Sequence, residues 1–396
     1  MLACSPDPAF WRGRRVLVTG DTGFKGAWAA LWLHRLGAEV SGLALAPEPL
    51  SLHRLLRLDT LVPSRCVDLR DAAAVAAAVR EARPQLVLHL AAQALVRRGL
   101  EAPVETFATN MLGTVHLLQA LRGEPELQAV LVVTSDKVYA DTGDAAPHRE
   151  ADRLGGGDPY AASKAACELA TAAMAQSFLQ RNMMSLPMPP DDPPCGVAVA
   201  TARAGNVIGG GDFAAWRLVP DIVRAARAGE TLRLRDPQAT RPWQHVLDCL
   251  AGYLAYLTAL AGNAARAGSA AALTGRAAAR ATEPAAPPSE NRHPLPPALN
   301  FGPRSRRGTT VAALAGAIQQ ALGSTPGWTH VPQPQTPERH VLAIDSTLAR
   351  QTLGWSDRLH GSRMIAATAD WYRAWAGGED MLPVTLRQIE DYEAMA

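Results

Sequence analysis

The chain is nearly devoid of lysine. Of its 39 Lys and Arg residues only three, Lys25, Lys137 and Lys164, are lysines. Arginine stays protonated, whereas a lysine shifts its pKa and exchanges a proton. The three survivors therefore mark places where charge alone is not enough. Other scarcities bear on whole classes of protein. The five cysteines, Cys4, Cys66, Cys167, Cys195 and Cys249, are odd in number and lack CxxC spacing. That pattern fits reduced thiols in a cytoplasmic enzyme and argues against a disulfide framework or a zinc site, so no metal is expected. The net charge is only +2, which gives no strong field for nucleic acid or a membrane surface. Residues 1–15 lack the basic start and apolar run of a signal peptide. No stretch of about 20 apolar residues stands out, so no membrane span is expected.

What is present is a chain of 396 residues, 48% hydrophobic and 19% charged, long enough for two domains or one large domain with a lobe. Short apolar runs at 15–19, 39–43, 65–68, 86–90, 129–134 and 197–202 read as strands. Helical patterns at 26–36, 72–82 and 104–121 lie between them. Continuous Val/Leu runs such as 130–133 suit a parallel sheet covered on both faces. The alternation predicts an α/β fold, a Rossmann-type doubly wound parallel sheet, with a smaller C-terminal substrate-binding lobe. The boundary falls near 204/205. Two segments read as exposed insertions, the proline-rich 182–196 and the Ala-rich, then Pro-rich 263–297.

Val16–Thr19 runs into Gly20, Asp21, Thr22, Gly23, Phe24, Lys25 and Gly26. The GxxGxxG spacing follows the first strand and opens a helix. Gly20 suits the tight turn, Gly23 the approach of a pyrophosphate, and Gly26 close helix–strand packing, with the helix N–H groups facing the phosphates. The end of the second strand lacks the acid that usually holds the ribose hydroxyls, and no arginine stands there for a 2′-phosphate. The expected cofactor is NAD. Asp68, with Leu69 beside it, is either an adenine-edge residue or a helix cap. Ala91, Ala92 and Gln93 follow the fourth strand and are expected along the middle of the cofactor.

Tyr160 and Lys164 stand four apart, on one face of a helix that Asp158 and Pro159 can start. A nearby ammonium is expected to lower the phenol's pKa from about 10 towards neutrality. The base so formed can take a proton from a substrate hydroxyl. Ser135 is placed to bind the same hydroxyl. Asp136 and Lys137 form a second acid/base pair at the end of the fifth strand, which simple alcohol oxidation does not need. Lys137 acts as a base only if partly neutral, and Lys164 is the expected cationic neighbour.

The stretches VLVTGDTGFKGAW, HLAAQALVRR, TNMLGTVHLL, VVTSDKVY, DPYAASK, ARAGNVIGGGDF, RLVPDIVRA, RPWQHVLD, NFGP and LGW resemble the extended short-chain dehydrogenase/reductase family. The finer likeness is to its 4,6-dehydratases of CDP-activated glucose. Sister dehydratases for dTDP-glucose or GDP-mannose are similar but carry Glu where this chain has Lys137. Asp21 departs from a loop that usually has His there, a change touching cofactor affinity. The resemblance implies tightly held NAD, with Asn110 among its contacts, and a CDP-sugar substrate. It implies Tyr160 as base at the C4 hydroxyl, Lys137 as base at C5 and Asp136 as acid at the C6 hydroxyl. Asn206, Arg217, Arg241, Gln244 and His245 are candidate substrate residues. Each equally suits a structural role, His245 as a core residue. Relatives suggest a homodimer through the helices at 104–121 and 160–175. A nucleotide-sugar epimerase or reductase of the same fold, or a silent NAD-binding scaffold, remains the alternative. Lys25 has no assigned role.

Overall fold

The computed structural model describes residues 5–141, 143, 146–180, 196–278, 295–305, 308–325, 327–332 and 341–395. The first insertion, apart from Gly196, lies outside them. Seven strands form one parallel sheet: β1 (Arg15–Thr19), β2 (Glu39–Ala44), β3 (Ser64–Cys66), β4 (Leu86–His89), β5 (Ala129–Val133), β6 (Ala198–Ala204) and β7 (Ala298–Phe301). Their order is β7-β6-β5-β4-β1-β2-β3. The order reverses beside β1, so a crevice opens at the carboxyl ends of β1 and β4, where such sheets bind ligands.

Side chains alternate along the inner strands, whose two faces are both buried, while the edge strand β3 is exposed. Val16, Val18, Leu86, Leu88 and Leu131 pack on one side with Trp28 and Trp32 of helix α1 (Phe24–Arg35). Leu17, Val87, Val130 and Val132 pack on the other. Their partners there come from α2 (Ala72–Ala82), α4 (Gly113–Ala120) and α5 (Pro159–Met174). The short α3 (Val96–Glu101) lies between α2 and α4 in sequence. Trp28 and Trp32 are fully buried, and truncating either to Ala is expected to cost ~3–5 kcal/mol.

Beyond β6 the chain forms α6 (Leu218–Ala228), followed by α7 (Val246–Ala278). Three expectations change here. The Ala-rich segment expected to be a loop from 263 continues α7 to Ala278, because alanine has the highest helix propensity and no proline intervenes; residues 279–294 lie outside the described set. Within α7, Val246–Ala264 is apolar and long enough to cross a membrane by length and composition. Most of that stretch is buried, and α7 packs on β5 and β6, so its apolarity serves the core. Finally, Ala298–Phe301, from the second half of the chain, joins the sheet as β7. Its four-residue length, with a buried Asn300, hid it.

The expected helix over 104–121 is broken into Pro103–Phe107, a π-helical turn Ala108–Leu112, and α4. The bulge sits at Asn110, and such turns often mark functional positions.

Candidate active site

The glycine loop closes tightly on the sheet. Gly20 has φ +75°, which favours glycine, and a Cβ there would lie 2.8 Å from Ala91 Cα. A Cβ on Gly26 would lie 1.9 Å from the Gly20 carbonyl oxygen. No side chain caps the N-terminus of α1, so its first-turn N–H groups stay open to phosphate oxygens. These features fit a dinucleotide pyrophosphate. Thr22 Oγ1 donates to the Leu45 carbonyl (3.1 Å), tying the loop to the end of β2. Asp21 is fully buried, with His53 Nε2 3.9 Å from its Oδ2, and burial pushes its carboxyl pKa up. Its carboxylate lies against Gly42, where a Cβ would come within 2.3 Å.

Several expected cofactor residues are occupied by the protein itself. Asn110 Oδ1 accepts from Gln93 N (2.8 Å). Its Nδ2 donates to the Gln93 carbonyl (3.0 Å) and to Ser163 Oγ (2.8 Å). Asn110 thus clamps the Ala91–Ala92–Gln93 turn to the helix carrying Tyr160, with both of its side-chain N–H groups used. Asp68 pairs with Arg70 (Nε–Oδ2 2.9 Å), and Asp71 is the residue that caps α2. Leu69 is buried and its carbonyl accepts from His116 Nδ1 (2.8 Å).

The proton-handling residues do come together. Phe24, Lys25, Ser135, Asp136, Lys137 and Tyr160 line one cleft, together with Asn206, Arg217 and Arg241. Asp158 caps α5, accepting from Ala161 N (2.9 Å), with Pro159 in the first turn. This presents Tyr160 to the cleft. Ser135 Oγ accepts from Lys137 N (3.2 Å) and donates to Asp136 Oδ1 (3.2 Å). The Tyr160 phenol and the Ser135 hydroxyl line the same cleft. Gly205 abuts the Asp136 carboxylate so closely that a Cβ would lie 1.7 Å from Oδ2. Burial raises the Asp136 pKa against the lowering pull of Lys137, Ser135, Arg241 and Lys25.

Two electrostatic expectations are corrected. Burial raises the Tyr160 pKa, and the cation beside it is Arg217, not Lys164. Lys164 lies behind the cleft, where its Nζ donates to the Val133 carbonyl (3.1 Å). Burial lowers the Lys164 pKa, and its cationic neighbour is Lys25, not Lys137. The lysine singled out without a role thus lies in the cleft, its ammonium 5.6 Å from the centre of the Tyr253 ring.

On the lobe side, Arg217 Nη1 pairs with Asp212 Oδ2 (3.1 Å), and Asn206 adopts φ +47°. Gln244 and His245 do not reach the cleft. Gln244 Nε2 donates to the Phe301 carbonyl (2.8 Å). His245 is fully buried, its Nδ1 accepts from Leu247 N (3.3 Å), and burial pushes its pKa down to about 3, so it is neutral. Gln244 thereby ties this segment to the end of β7. Reading the sequence missed Gly205, Trp216 and Arg97. Trp216 adopts φ +66° and is 46% exposed, and Arg97, which also lines the cleft, stacks on it at 3.8 Å. The glycine of ARAGNVIG was the one available signal; nothing local marks the other two.

Residues 16–267 match the model of the NAD dependent epimerase/dehydratase family. The chain belongs to this family. It is 38% identical over 387 residues to the CDP-glucose 4,6-dehydratase of Salmonella typhimurium, covering 98% of each chain. It is 29% identical to a dTDP-glucose 4,6-dehydratase of Xanthomonas campestris over 59% of this chain and 64% of that one. Among solved structures, the UDP-glucose 4-epimerase of Thermus thermophilus superposes with a TM-score of 0.70 at 24% identity, over 91% of this chain and 99% of that one. An NAD-dependent NDP-hexosamine 5,6-dehydratase of tunicamycin biosynthesis gives 0.67 at 21%, over 93% and 99%. These two likenesses concern the fold. Membership of the family makes the chain an NAD-dependent enzyme of nucleotide-sugar chemistry, built on the expected Rossmann-type sheet.

Proposed function

We propose that this enzyme dehydrates CDP-glucose to CDP-4-keto-6-deoxyglucose. One observation carries the reading: Asp136 and Lys137 line the same cleft as Ser135 and Tyr160. An epimerase or a simple reductase needs the last two but not the first pair. The 38% identity to the Salmonella enzyme over nearly the whole chain supports CDP-glucose as the substrate.

In this reading Tyr160, with Ser135 beside it, takes the proton of the C4 hydroxyl. The bound dinucleotide supplies an acceptor for hydride at C4 and its return at C6. The C4 ketone makes the C5 hydrogen acidic, and Lys137 removes it. Asp136, its carboxyl disposed to stay protonated by burial, protonates the departing C6 hydroxyl. Lys164, hydrogen-bonded to the Val133 carbonyl, braces the helix that carries Tyr160. Arg217 and Arg241 are the candidate diphosphate ligands, since guanidinium can meet phosphate with two parallel hydrogen bonds. Asn206 is a candidate sugar contact. The dinucleotide fits along Gly20, Thr22, Gly23, Phe24 and Gly26. Residues 45–48, directly after β2, include no arginine for a 2′-phosphate, and the NAD dependence of the family favours NAD over NADP.

The test is incubation with CDP-glucose and assay for a 4-keto-6-deoxy sugar. An epimerised sugar would support the epimerase alternative, and no turnover with any nucleotide sugar would support a silent scaffold.

We also infer a homodimer. Leu100, Val104, Leu112 and Leu169 are exposed on or beside the helices expected to pair, Val104 at 81%. Sedimentation of Val104→Glu against the parent tests it. The reading further assigns the enzyme to the cytoplasm, supported by Cys66, Cys167 and Cys249 being free thiols. Its product suits deoxysugar biosynthesis.

A further inference from the structure

In the dehydration reading, on which this inference rests, two chemistries meet at one sugar. Tyr160 works at C4, while Asp136 and Lys137 work at C5 and C6. The first rides on α5, and the other two sit on the short turn Asp136–Val138 after β5. An error of about an ångström between helix and turn can cost ~10²-fold in rate. Their spacing must therefore be fixed by something beneath the cleft.

We propose that Glu168 and Arg203 are positioning residues, a buried ion pair that sets the turn carrying Asp136 and Lys137 against the helix carrying Tyr160. Glu168 lies on α5, one helical turn beyond Lys164. Its Oε1 accepts from Arg203 Nε (3.0 Å) and its Oε2 from Arg203 Nη2 (2.9 Å), which joins α5 to β6 by two parallel bonds. The same carboxylate accepts from Thr134 Oγ1, on the residue before Ser135, and from Thr201 Oγ1 (2.7 Å). Arg203 Nη1 donates to Tyr139 Oη (3.0 Å), just past the turn, and to the Glu150 carbonyl (3.0 Å). Tyr139 Oη donates in turn to Asn300 Oδ1 of β7 (2.6 Å). Residues 135–138 are thus held at both ends, at Thr134 and at Tyr139, by one ion pair anchored on α5. Arg203 also stands two residues before Gly205, which abuts the Asp136 carboxylate.

Stability alone does not account for such a pair. The Arg203 and Glu168 side chains are 6% and 4% exposed. Two charges so far withdrawn from water often stabilise a fold no better than packed apolar side chains of the same volume. What the pair supplies is geometry, because a planar fork meets a carboxylate in one arrangement that a point charge cannot copy. Lys164 adds a second hold one turn earlier, through the Val133 carbonyl (3.1 Å). The helix thus grips two consecutive residues, Val133 and Thr134, and Arg203 extends the hold of Glu168 to Tyr139 at the far end. Glu168, Arg203 and Tyr139 do not line the cleft, so their effect on catalysis passes through the residues they hold.

The experiment follows single turnovers of the NAD-loaded parent, Tyr139→Phe and Arg203→Lys after rapid mixing with CDP-glucose, well below each thermal midpoint. The rise of reduced nicotinamide reports hydride transfer from C4. Its decay into 4-keto-6-deoxy sugar reports elimination and hydride return. Tyr139→Phe loosens one end of the turn and leaves α5 alone. It should slow the decay about 10-fold with the rise within about threefold of the parent's, so that reduced cofactor accumulates. Arg203→Lys keeps the charge and loses the fork. It should show the same split at about 10²-fold, with the steady-state KM within about threefold. Parent-like decay in either variant would overturn the proposal. So would a loss confined to KM, a fall in the rise alone, or an equal fall in both phases, the mark of a merely structural prop. Should Arg203→Lys not fold, Tyr139→Phe decides by itself. A parent enzyme that forms no 4-keto-6-deoxy sugar instead sinks the dehydration reading beneath it.

Discussion

The wall carrying Ser135, Asp136, Lys137 and Tyr160 is made from the end of a fully buried strand and the first turn of a capped helix. A second part of the lining, with Asn206, Trp216 and Arg217, is irregular chain in which two of those three residues adopt positive φ. Groups that move protons need fixed geometry, and rigid elements supply it. A surface that must admit and release a large substrate gains from loops, which tolerate unusual backbone. The first wall is held by main-chain ladders and buried side chains. The second is held by side-chain pairs, Arg217 with Asp212 and Arg97 with Trp216.

Substitutions on each wall test this division of labour. Lys137→Arg should lower dehydration by ~10³-fold while the dinucleotide stays bound, because arginine cannot serve as a base. Rapid-mixing absorbance of the reduced nicotinamide, read with product assay, checks this; turnover like the parent's removes Lys137 from the mechanism. Gly205→Ala should cost about 10²-fold in kcat with a smaller change in KM, since the new methyl displaces the Asp136 carboxylate and an ångström of misplacement is enough. A crystal structure of the variant with Asp136 unmoved would refute that cause.

Arg217→Lys acts on the other wall. It should raise KM for the nucleotide sugar about tenfold and leave kcat nearly intact, because one point charge replaces a planar fork. A fall in kcat alone would assign Arg217 to the chemistry.

The smallest effect concerns the base of the lobe. Asp248 accepts from Arg358 N (2.7 Å), Leu359 N (3.0 Å) and Tyr392 Oη (3.0 Å), and burial raises its pKa from 3.8 to about 6. A raised carboxyl pKa means that the folded state prefers the acid form. Stability from this group is thus fully present below about pH 4 and is lost as pH rises through about 6, by at most ~3 kcal/mol. Asp248→Asn cannot titrate. Its thermal midpoint should improve relative to the parent between those pH values, and a constant difference would refute the assignment.

Much of the fold was legible because its signals are local. The strands at 15–19 and 129–133, and the helix at 72–82, follow from apolar runs and caps that a few neighbouring residues define. The strand at 298–301 was not, since four residues with a buried Asn carry too little pattern. The helix through Ala278 was misread because Ala-rich composition suits both a helix and a loose insertion. Tyr160, read from its spacing to Lys164, and Ser135, Asp136 and Lys137, read from a strand end, line one cleft, whereas Lys164 does not line it. Spacing misassigned the electrostatics, because Lys25 and Arg217 reach the cleft from chain positions far from it.

By itself the sequence determined which residues can handle protons and on which elements they ride, since glycine spacing, helix caps and strand ends act over a few residues. Only the tertiary structure decided which of them meet. It turned Lys164 away towards the Val133 carbonyl, brought Lys25 and Arg217 to the cleft lined by Tyr160 and Asp136, made Gly205 the space for Asp136, and withdrew Gln244 and His245 into the core. Those outcomes depend on burial and on charges distant in the chain, and neither is a property of any short stretch of it.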